Sequence, residues 1–264
     1  MQFHVLQHDV IPGDIQETQL AIEKQLISVE PNTGDFVALP EMTASGFSME
    51  LSKTCDIGSP EWGCRIAEKY RVWIQIGWAK RNGERAVNCA SICSPSGEIV
   101  GTYEKCFTCN PLLENKSYDC GDTLLIVDIE GNHICPLICY DLRFPELWRL
   151  AAMHGVDIFT ISSSWPIARI HVWRTLLIAR AMENQAYIVA SNRIGEDKLA
   201  KWGGNSSIIS SKGEVLFQCG AHEQESISAE LSLEDAYKWR SEFAILDDLK
   251  KELLGSINVQ QITA

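Results

Sequence analysis

The alternation of apolar and polar positions predicts a chain of short strands interrupted by helices. Apolar residues at helical spacing predict helices at 17–29, 60–70, 145–153 and 172–184. Strands are predicted at 3–7, 35–39, 72–78, 86–94, 99–103, 124–129, 132–139, 158–162, 187–191, 208–209, 215–219 and 226–230. Asn82-Gly83, between two apolar runs, is typical of a β-hairpin. Because helices recur after pairs of strands, we expect an α/β protein with two stacked sheets and helices outside them.

Composition and charge limit the class of protein. The chain has 264 residues without a linker or repeat, which favours a single domain over residues 1–264, with a C-terminal tail from about residue 235 that begins as a helix and then frays. Its 23 basic and 35 acidic residues give a net charge of −12, which disfavours nucleic-acid binding. No apolar run reaches the ~18 residues of a membrane span, and no secretory signal is evident at Met1–Val5. We therefore expect a cytoplasmic protein whose ten cysteines are mostly free thiols.

Cys139 is the first candidate for chemistry. It ends the apolar strand predicted at 132–139, shortly before the helix predicted from residue 145. A nucleophile in this position lies at the edge of a sheet, where backbone N–H groups can face a developing oxyanion. The dipole of the following helix also favours the thiolate. Taken alone, such a cysteine is more often a buried core residue.

Two charged residues follow other predicted strands in the same way. Glu41 comes directly after the strand at 35–39, and Lys105 comes directly after the strand at 99–103. A carboxylate can act as the base for a thiol, and a lysine can stabilise both a thiolate and an oxyanion. Each alone would more often be exposed, but together with Cys139 they indicate a catalytic group.

These three residues resemble the Glu–Lys–Cys triad of the carbon-nitrogen hydrolase (nitrilase) superfamily. The resemblance rests on Leu39-Pro40-Glu41, on Tyr103-Glu104-Lys105 and on the segment Cys-Tyr-Asp-Leu-Arg-Phe-Pro-Glu at 139–146, and it extends over nearly the whole chain. Within the superfamily, the segments at 164–166 and 229–232 are most similar to bacterial omega-amidases. Those enzymes cleave the side-chain amide of 2-oxo acids such as 2-oxoglutaramate.

The resemblance implies a role for each matching residue. Cys139 would be the nucleophile, and Glu41 would act first as general base and then as general acid. Lys105 would stabilise the tetrahedral intermediate together with the backbone N–H of Tyr140. Glu114, nine residues after Lys105, would help to orient the lysine and the substrate. The resemblance further implies a four-layer α-β-β-α sandwich, a thioester intermediate, no metal or organic cofactor, a small-molecule amide substrate, and a homodimer or higher homo-oligomer.

Three more residues are candidates for substrate binding. Arg143 could bind a substrate carboxylate, because a guanidinium matches the geometry of a carboxylate, or it could form an internal ion pair with Glu146 or Asp141. Trp165 and Phe47 could form walls of the pocket.

The sequence departs from the omega-amidase pattern directly after Lys105. Omega-amidases usually have Lys-x-His-Leu-Phe, whereas this chain has Lys-Cys-Phe-Thr-Cys at 105–109. The pair Cys106 and Cys109 could indicate zinc, but a four-ligand site needs a second pair, and none is apparent. We expect an amidohydrolase that acts on the omega-amide of 2-oxoglutaramate or 2-oxosuccinamate. The alternatives are an N-carbamoyl-amine hydrolase, a deaminated-glutathione amidase, and a non-catalytic binding protein on the same fold.

Overall fold

Two β-sheets and their flanking helices form the part of the chain that this computed structural model describes, residues 1–250 and 258–263. The strands are β1 (Gln2–Gln7), β2 (Phe36–Ala38), β3 (Trp73–Asn82), β4 (Arg85–Cys93), β5 (Ile99–Glu104), β6 (Tyr118–Asp119), β7 (Thr123–Ile129), β8 (Asn132–Ile138), β9 (Ile158–Ser163), β10 (Tyr187–Asn192), β11 (Ser207–Ile209), β12 (Val215–Gln218), β13 (Glu225–Glu230) and β14 (Asn258–Thr263). The α-helices are α1 (Ile15–Ser28), α2 (Leu51–Thr54), α3 (Ser59–Tyr70), α4 (Pro145–Met153), α5 (Ile170–Asn184) and α6 (Leu233–Glu242).

Each sheet combines parallel strands with hairpins. The first has the order β13-β1-β2-β3-β4-β5, with β6 beside β4, and the second has the order β12-β11-β10-β9-β8-β7-β14. Strands β1, β2 and β3 run parallel, as do β8, β9 and β10. The predicted hairpin joins β3 to β4, with Asn82 opposite Arg85 and Gly83 at a φ of +59°. A positive φ is accessible to glycine at little cost, which explains why the turn forms there.

The layers follow from where the apolar side chains go. Ile22 and Leu26 of α1 and Trp62 and Ile66 of α3 pack against one face of the first sheet. Trp148 of α4 and Trp173 and Leu177 of α5 belong to a second apolar cluster, which also holds the side chains between the two sheets. The predicted α-β-β-α sandwich is therefore confirmed.

The C-terminal region differs from the sequence prediction. After α6, the prediction of a frayed end misses β14, which pairs in parallel with β7 at the edge of the second sheet. The stretch 251–257 of the predicted tail lies outside the described residues. Within the residues described, no helix has the length and apolar character needed to cross a membrane.

Candidate active site

The ends of strands from both sheets converge on one cavity. Glu41 follows β2 and Lys105 follows β5 on the first sheet, whereas Cys139 follows β8 and Trp165 follows β9 on the second. The cavity has a volume of about 400 Å³. Its lining comprises Glu41, Phe47, Lys105, Cys109, Pro111, Leu112, Cys139, Tyr140, Arg143, Ser164, Trp165, Pro166 and Arg169. The structure thus brings together the residues that the sequence singled out from separate parts of the chain.

Lys105 lies between two buried carboxylates. Its Nζ donates hydrogen bonds to Glu41 Oε1 at 2.9 Å and to both carboxylate oxygens of Glu114 at 3.0 and 2.9 Å. All three side chains are at most 1% exposed. Burial opposes the charged form of the lysine, but the carboxylates of Glu114 and Glu41 outweigh it and raise the pKa of Lys105 well above its ordinary value. The lysine is therefore a permanent cation at the site.

Asn88 is a site residue that the sequence analysis missed. It lies on β4, is fully buried, and its Nδ2 donates to Glu41 Oε1 at 2.7 Å and to Glu114 Oε1 at 2.9 Å. One amide group therefore holds both carboxylates. The signal for it is a single amide side chain inside the mainly apolar run at 86–93.

The second oxygen of Glu41 connects the two sheets. Glu41 Oε2 accepts a hydrogen bond from the backbone N–H of Ser164 at 2.9 Å, directly after β9. Glu114 is fixed in a similar way, because its Oε2 accepts the backbone N–H of Cys109 at 2.5 Å. Each carboxylate is therefore positioned by at least three donors, and a carboxylate held in this way is aimed at a fixed point in the cavity.

Cys139 occupies a strained turn between β8 and α4. Its φ is +45°, which is uncommon for a residue other than glycine, and it begins a 3-10 helix over Cys139–Arg143. Tyr140 is the second residue of this helix, so its backbone N–H lacks an intrahelical acceptor. The thiol lies 3.8 Å from the carbonyl oxygen of Ser164, to which it can donate. This geometry presents the sulfur and a free N–H at the same turn.

The surroundings of the Cys139 thiol favour its neutral form. Burial, followed by the charge of Glu41, raises the pKa of Cys139 well above its ordinary value, although Lys105 opposes the shift. This shift runs against the thiolate that the following helix is expected to favour. The sulfur needs a base, and Glu41 lines the same cavity.

Asp141 ties the turn of the nucleophile to the loop after Lys105. Its Oδ1 accepts the backbone N–H of Phe107 at 3.0 Å, and its Oδ2 accepts the N–H of Ile138 at 3.1 Å and the hydroxyl of Tyr103 at 2.8 Å. Burial raises the pKa of Asp141 to about 7, against the opposing charge of Lys105 and these hydrogen bonds. This carboxyl therefore fixes two catalytic segments relative to each other.

The predicted pocket residues also line the cavity. The Phe47 ring centroid lies 5.5 Å from Lys105 Nζ. The Arg143 guanidinium lies 4.8 Å from the Trp165 ring centroid and 5.7 Å from that of Tyr140. The alternative ion pair of Arg143 with Glu146 or Asp141 is not formed among the described residues. Arg169, which the sequence analysis did not single out, is a second guanidinium in the lining.

The altered loop after Lys105 places one of its cysteines in the cavity lining. Cys109 lines the cavity, whereas Cys106 belongs to the apolar cluster between the sheets. Among residues 1–250 and 258–263, no group of three or more His, Cys, Asp or Glu side chains is arranged to hold a metal ion. In this loop Phe107 stands at the histidine position of the usual pattern, and Cys109 stands at the position of its phenylalanine.

Comparison with known proteins decides the family. Residues 5–241 match the carbon-nitrogen hydrolase family. The chain belongs to the carbon-nitrogen hydrolase family. A 2-oxoglutaramate amidase of Bacillus subtilis is 31% identical to this carbon-nitrogen hydrolase, covering 94% of this chain and 97% of the relative. The omega-amidase YafV of Yersinia enterocolitica is also 31% identical, covering 96% and 98% of the two chains.

Solved structures agree with this assignment. A carbon-nitrogen hydrolase superfamily protein of Xanthomonas campestris, which carries an arsenic adduct in its active site, is 26% identical with a TM-score of 0.85, covering 95% of this chain and 97% of that one. A nitrilase-superfamily amidase of Nesterenkonia has the same fold, with a TM-score of 0.82 at 20% identity, covering 96% of this chain and 95% of that one. By family and by fold, this chain is therefore a carbon-nitrogen hydrolase, as the resemblance predicted.

Proposed function

We propose that this enzyme hydrolyses the omega-amide of a small 2-oxo acid, 2-oxoglutaramate or 2-oxosuccinamate, to the dicarboxylate and ammonia. The observation that carries the proposal is the buried Glu41–Lys105–Glu114 cluster beside Cys139 in a cavity of about 400 Å³. The relatives named 2-oxoglutaramate amidase and omega-amidase support the choice of substrate. Arg143, half buried in the lining, supplies a cation for the carboxylate of such a substrate.

The first half of the proposed reaction forms a thioester. Glu41 takes the proton of the Cys139 thiol as the sulfur attacks the amide carbonyl carbon. Lys105 Nζ and the N–H of Tyr140 stabilise the negative charge that develops on the carbonyl oxygen. Glu41 then gives the proton to the amide nitrogen, the carbon–nitrogen bond breaks, and ammonia leaves. Because the thiol is neutral at rest, the base is needed at the first step.

The second half returns the enzyme to its starting state. Glu41 takes a proton from a water molecule, which attacks the thioester carbonyl. The same two donors stabilise the second tetrahedral intermediate, and its collapse releases the carboxylic acid and restores the Cys139 thiol with the proton from Glu41. Glu114 and Asn88 hold Glu41 and Lys105 in place through both halves. Division of amide cleavage into two such steps lowers the barrier of each.

Ammonia release from 2-oxoglutaramate tests the proposal. We expect steady release by the parent enzyme and a loss of at least about 10³-fold for Cys139→Ala, because the covalent intermediate cannot form. Cys120→Ala, which changes an exposed thiol, is the matched control and keeps full activity.

The outcome separates the function from its alternatives. Release by Cys139→Ala at the parent rate would overturn the mechanism. No release from 2-oxoglutaramate, but release from N-carbamoyl amines or deaminated glutathione, would overturn the substrate and keep the chemistry. No release from any amide would favour a binding protein on this fold.

We also propose that the enzyme is a homodimer. Each subunit would consist of a single domain that spans the chain, and the enzyme would be located in the cytoplasm. An apolar patch on the second sheet's side supports the dimer. Met182 of α5 and Phe243 after α6 are 53% and 56% exposed, and Trp239 stacks on Phe243 at 5.7 Å. Lys212, in the β11–β12 turn, lies over Trp239, and its neighbour Gly213 lies against Met182, which makes the patch continuous. Exposed apolar patches of this kind mark protein interfaces. The ten free cysteines support a reducing compartment.

A further inference from the structure

Two guanidinium groups in the cavity lining lack an acidic partner. Arg143 lies on the turn of the nucleophile, and Arg169 ends a 3-10 helix over Ile167–Arg169. Both are half buried, and within the described part of the chain neither forms an ion pair or donates a side-chain hydrogen bond. Five arginines elsewhere in the fold have an Asp or Glu partner: Arg81, Arg85, Arg180, Arg193 and Arg240. Arg65, Arg71, Arg149 and Arg174 form no ion pair among the described residues, but none of them lines this cavity. In a chain with a net charge of −12, such free cations are available for an anion from outside.

Trp165 contacts the side chain of Arg143 and the backbone of Arg169. The guanidinium of Arg143 lies over the Trp165 ring, 4.8 Å from the ring centroid. The Nε1–H of Trp165 donates to the backbone carbonyl of Arg169 at 2.9 Å. Trp165 itself is 2% exposed, and its backbone N–H donates to Asn192 Oδ1 at 2.6 Å. A guanidinium that stacks on an aromatic ring keeps its N–H edges free for another partner. The Arg143 guanidinium is therefore preorganised, and the backbone of Arg169 is fixed to the same tryptophan.

Cationic side chains outnumber acidic ones in the cavity lining. The acidic side chain in its lining is Glu41, which already accepts hydrogen bonds from Lys105, Asn88 and the N–H of Ser164. The two arginines supply roughly ten N–H donors and no acceptor. A ligand that matches them carries acceptors only, and it carries negative charge.

We propose that Arg169 is a specificity-determining residue, which forms with Arg143 a two-guanidinium site for the carboxylate and the adjacent 2-oxo group of the substrate. The inference rests on the proposed function and assigns the residues that choose among amides. A 2-oxo acid presents three acceptor oxygens to this site. The corresponding amino acid amide, such as glutamine, places an ammonium group with three donors at the same position, where it meets two cations and no acceptor.

The test compares substrates that differ only at the end away from the amide. The four substrates are 2-oxoglutaramate, glutaramate, glutamine and butyramide. Glutaramate lacks the oxo group, glutamine has an amino group in its place, and butyramide has no charge. For Arg169→Gln we expect kcat/KM for 2-oxoglutaramate to fall about 10- to 100-fold, mainly through KM, because charge-assisted hydrogen bonds are lost. For butyramide we expect a change of less than about threefold, because it makes no such bonds. Arg169→Lys, which keeps the charge but not the fork, should lie between the parent and Arg169→Gln.

Arg65→Gln is the matched control, since Arg65 is exposed on α3 and lies outside the cavity. It should leave all four substrates unchanged. If Arg169→Gln lowers kcat/KM for butyramide as much as for 2-oxoglutaramate, or leaves the preference for 2-oxoglutaramate over glutaramate and glutamine as it was, the proposal is wrong.

A binding measurement distinguishes failure of this inference from failure of the proposed function. Calorimetric titration of 2-oxoglutarate into Cys139→Ala, with and without Arg169→Gln, needs no turnover. If the parent enzyme releases no ammonia from 2-oxoglutaramate and 2-oxoglutarate still binds at least about tenfold more weakly without Arg169, the proposed function fails and the anion site stands. If 2-oxoglutarate binds equally well, or not at all, with Arg169 present and absent, the anion site fails whatever the substrate is.

Discussion

Asp141 is a buried carboxyl group whose proton is retained by the native state. Its pKa is about 7 in the folded enzyme because of burial, whereas an aspartate in an unfolded chain has a pKa of about 3.9. The native state therefore binds more protons than the unfolded state between about pH 4 and pH 7. The protonated carboxyl therefore stabilises the fold. This stabilisation is fully present below about pH 4 and is lost as the pH rises to about 7.

Asp141→Asn should remove that dependence. We expect the difference in unfolding free energy between the parent and Asp141→Asn to shrink by at least about 1 kcal/mol as the pH rises from about 5 to about 8. Urea unfolding at several pH values measures it. Asp247→Asn, at an exposed position, is the control, and its unfolding free energy should change with pH in the same way as that of the parent. A constant difference between the parent and Asp141→Asn would show that Asp141 does not titrate in this range.

At the scale of single residues, the sequence predicted the site residues that stand at the end of a predicted strand. Glu41, Lys105 and Cys139 each follow an apolar run, and a strand end is where a sheet exposes side chains. Asn88 was missed because it lies in mid-strand and meets both carboxylates only once β4 pairs with β3 and β5. The protonation state of Cys139 was also beyond the sequence, because burial sets it and burial is a property of the packed sheets.

Strand β3 packs closely against the segment that carries Glu41, the proposed base, at a residue without a side chain. A Cβ atom at Gly77 would lie 2.6 Å from the backbone nitrogen of Met42, 2.7 Å from the carbonyl oxygen of Pro40 and 2.9 Å from the Cα of Glu41. These are backbone atoms in a close-packed interior, so they cannot give way without a shift of the whole segment. The position of the base thus depends on a neighbouring strand.

Gly77→Ala should therefore displace Glu41 and lower kcat for ammonia release by about 10- to 100-fold, because an error of about 1 Å in a catalytic group has costs of that order. Circular dichroism and thermal unfolding establish that the variant folds. Gly220→Ala is the control, since its Cβ would meet only the side chain of Glu225, at 3.6 Å. Normal kcat in a folded Gly77→Ala enzyme would contradict this account.

At the scale of elements, turns with a strong local signal were predicted well. Asn82-Gly83 predicted the β3–β4 hairpin, and the helix predicted at 145–153 is α4. Strand β14 was missed because its sequence, Asn-Val-Gln-Gln-Ile-Thr, lacks the strict alternation of a half-buried strand. It is a strand because it pairs with β7, more than one hundred residues away along the chain, and such pairing is not encoded locally.

The assembly of the whole molecule is tested through the patch of Met182, Trp239 and Phe243. The parent enzyme should sediment at twice 29.5 kDa, and Phe243→Glu should shift it toward the monomer, because a charge would be buried in an apolar interface. Leu20→Glu changes an equally exposed apolar residue on α1, away from the patch, and should leave the dimer intact. A monomeric parent enzyme would overturn the dimer, and dissociation by Leu20→Glu alone would move the interface to another face.

The pairing of β1 with β13 sets the moment at which a newly synthesised chain can become an enzyme. Every residue that we assign to the reaction lies before residue 170, but the strand beside β1 is not complete until Glu230 has been added. Through its parallel pairing with β2, β1 supports the segment that leads to Glu41. A ribosome that stops early therefore releases a polypeptide with all of the reacting groups and an unfinished scaffold. We therefore expect catalytic activity only from chains that have been translated at least through Glu230.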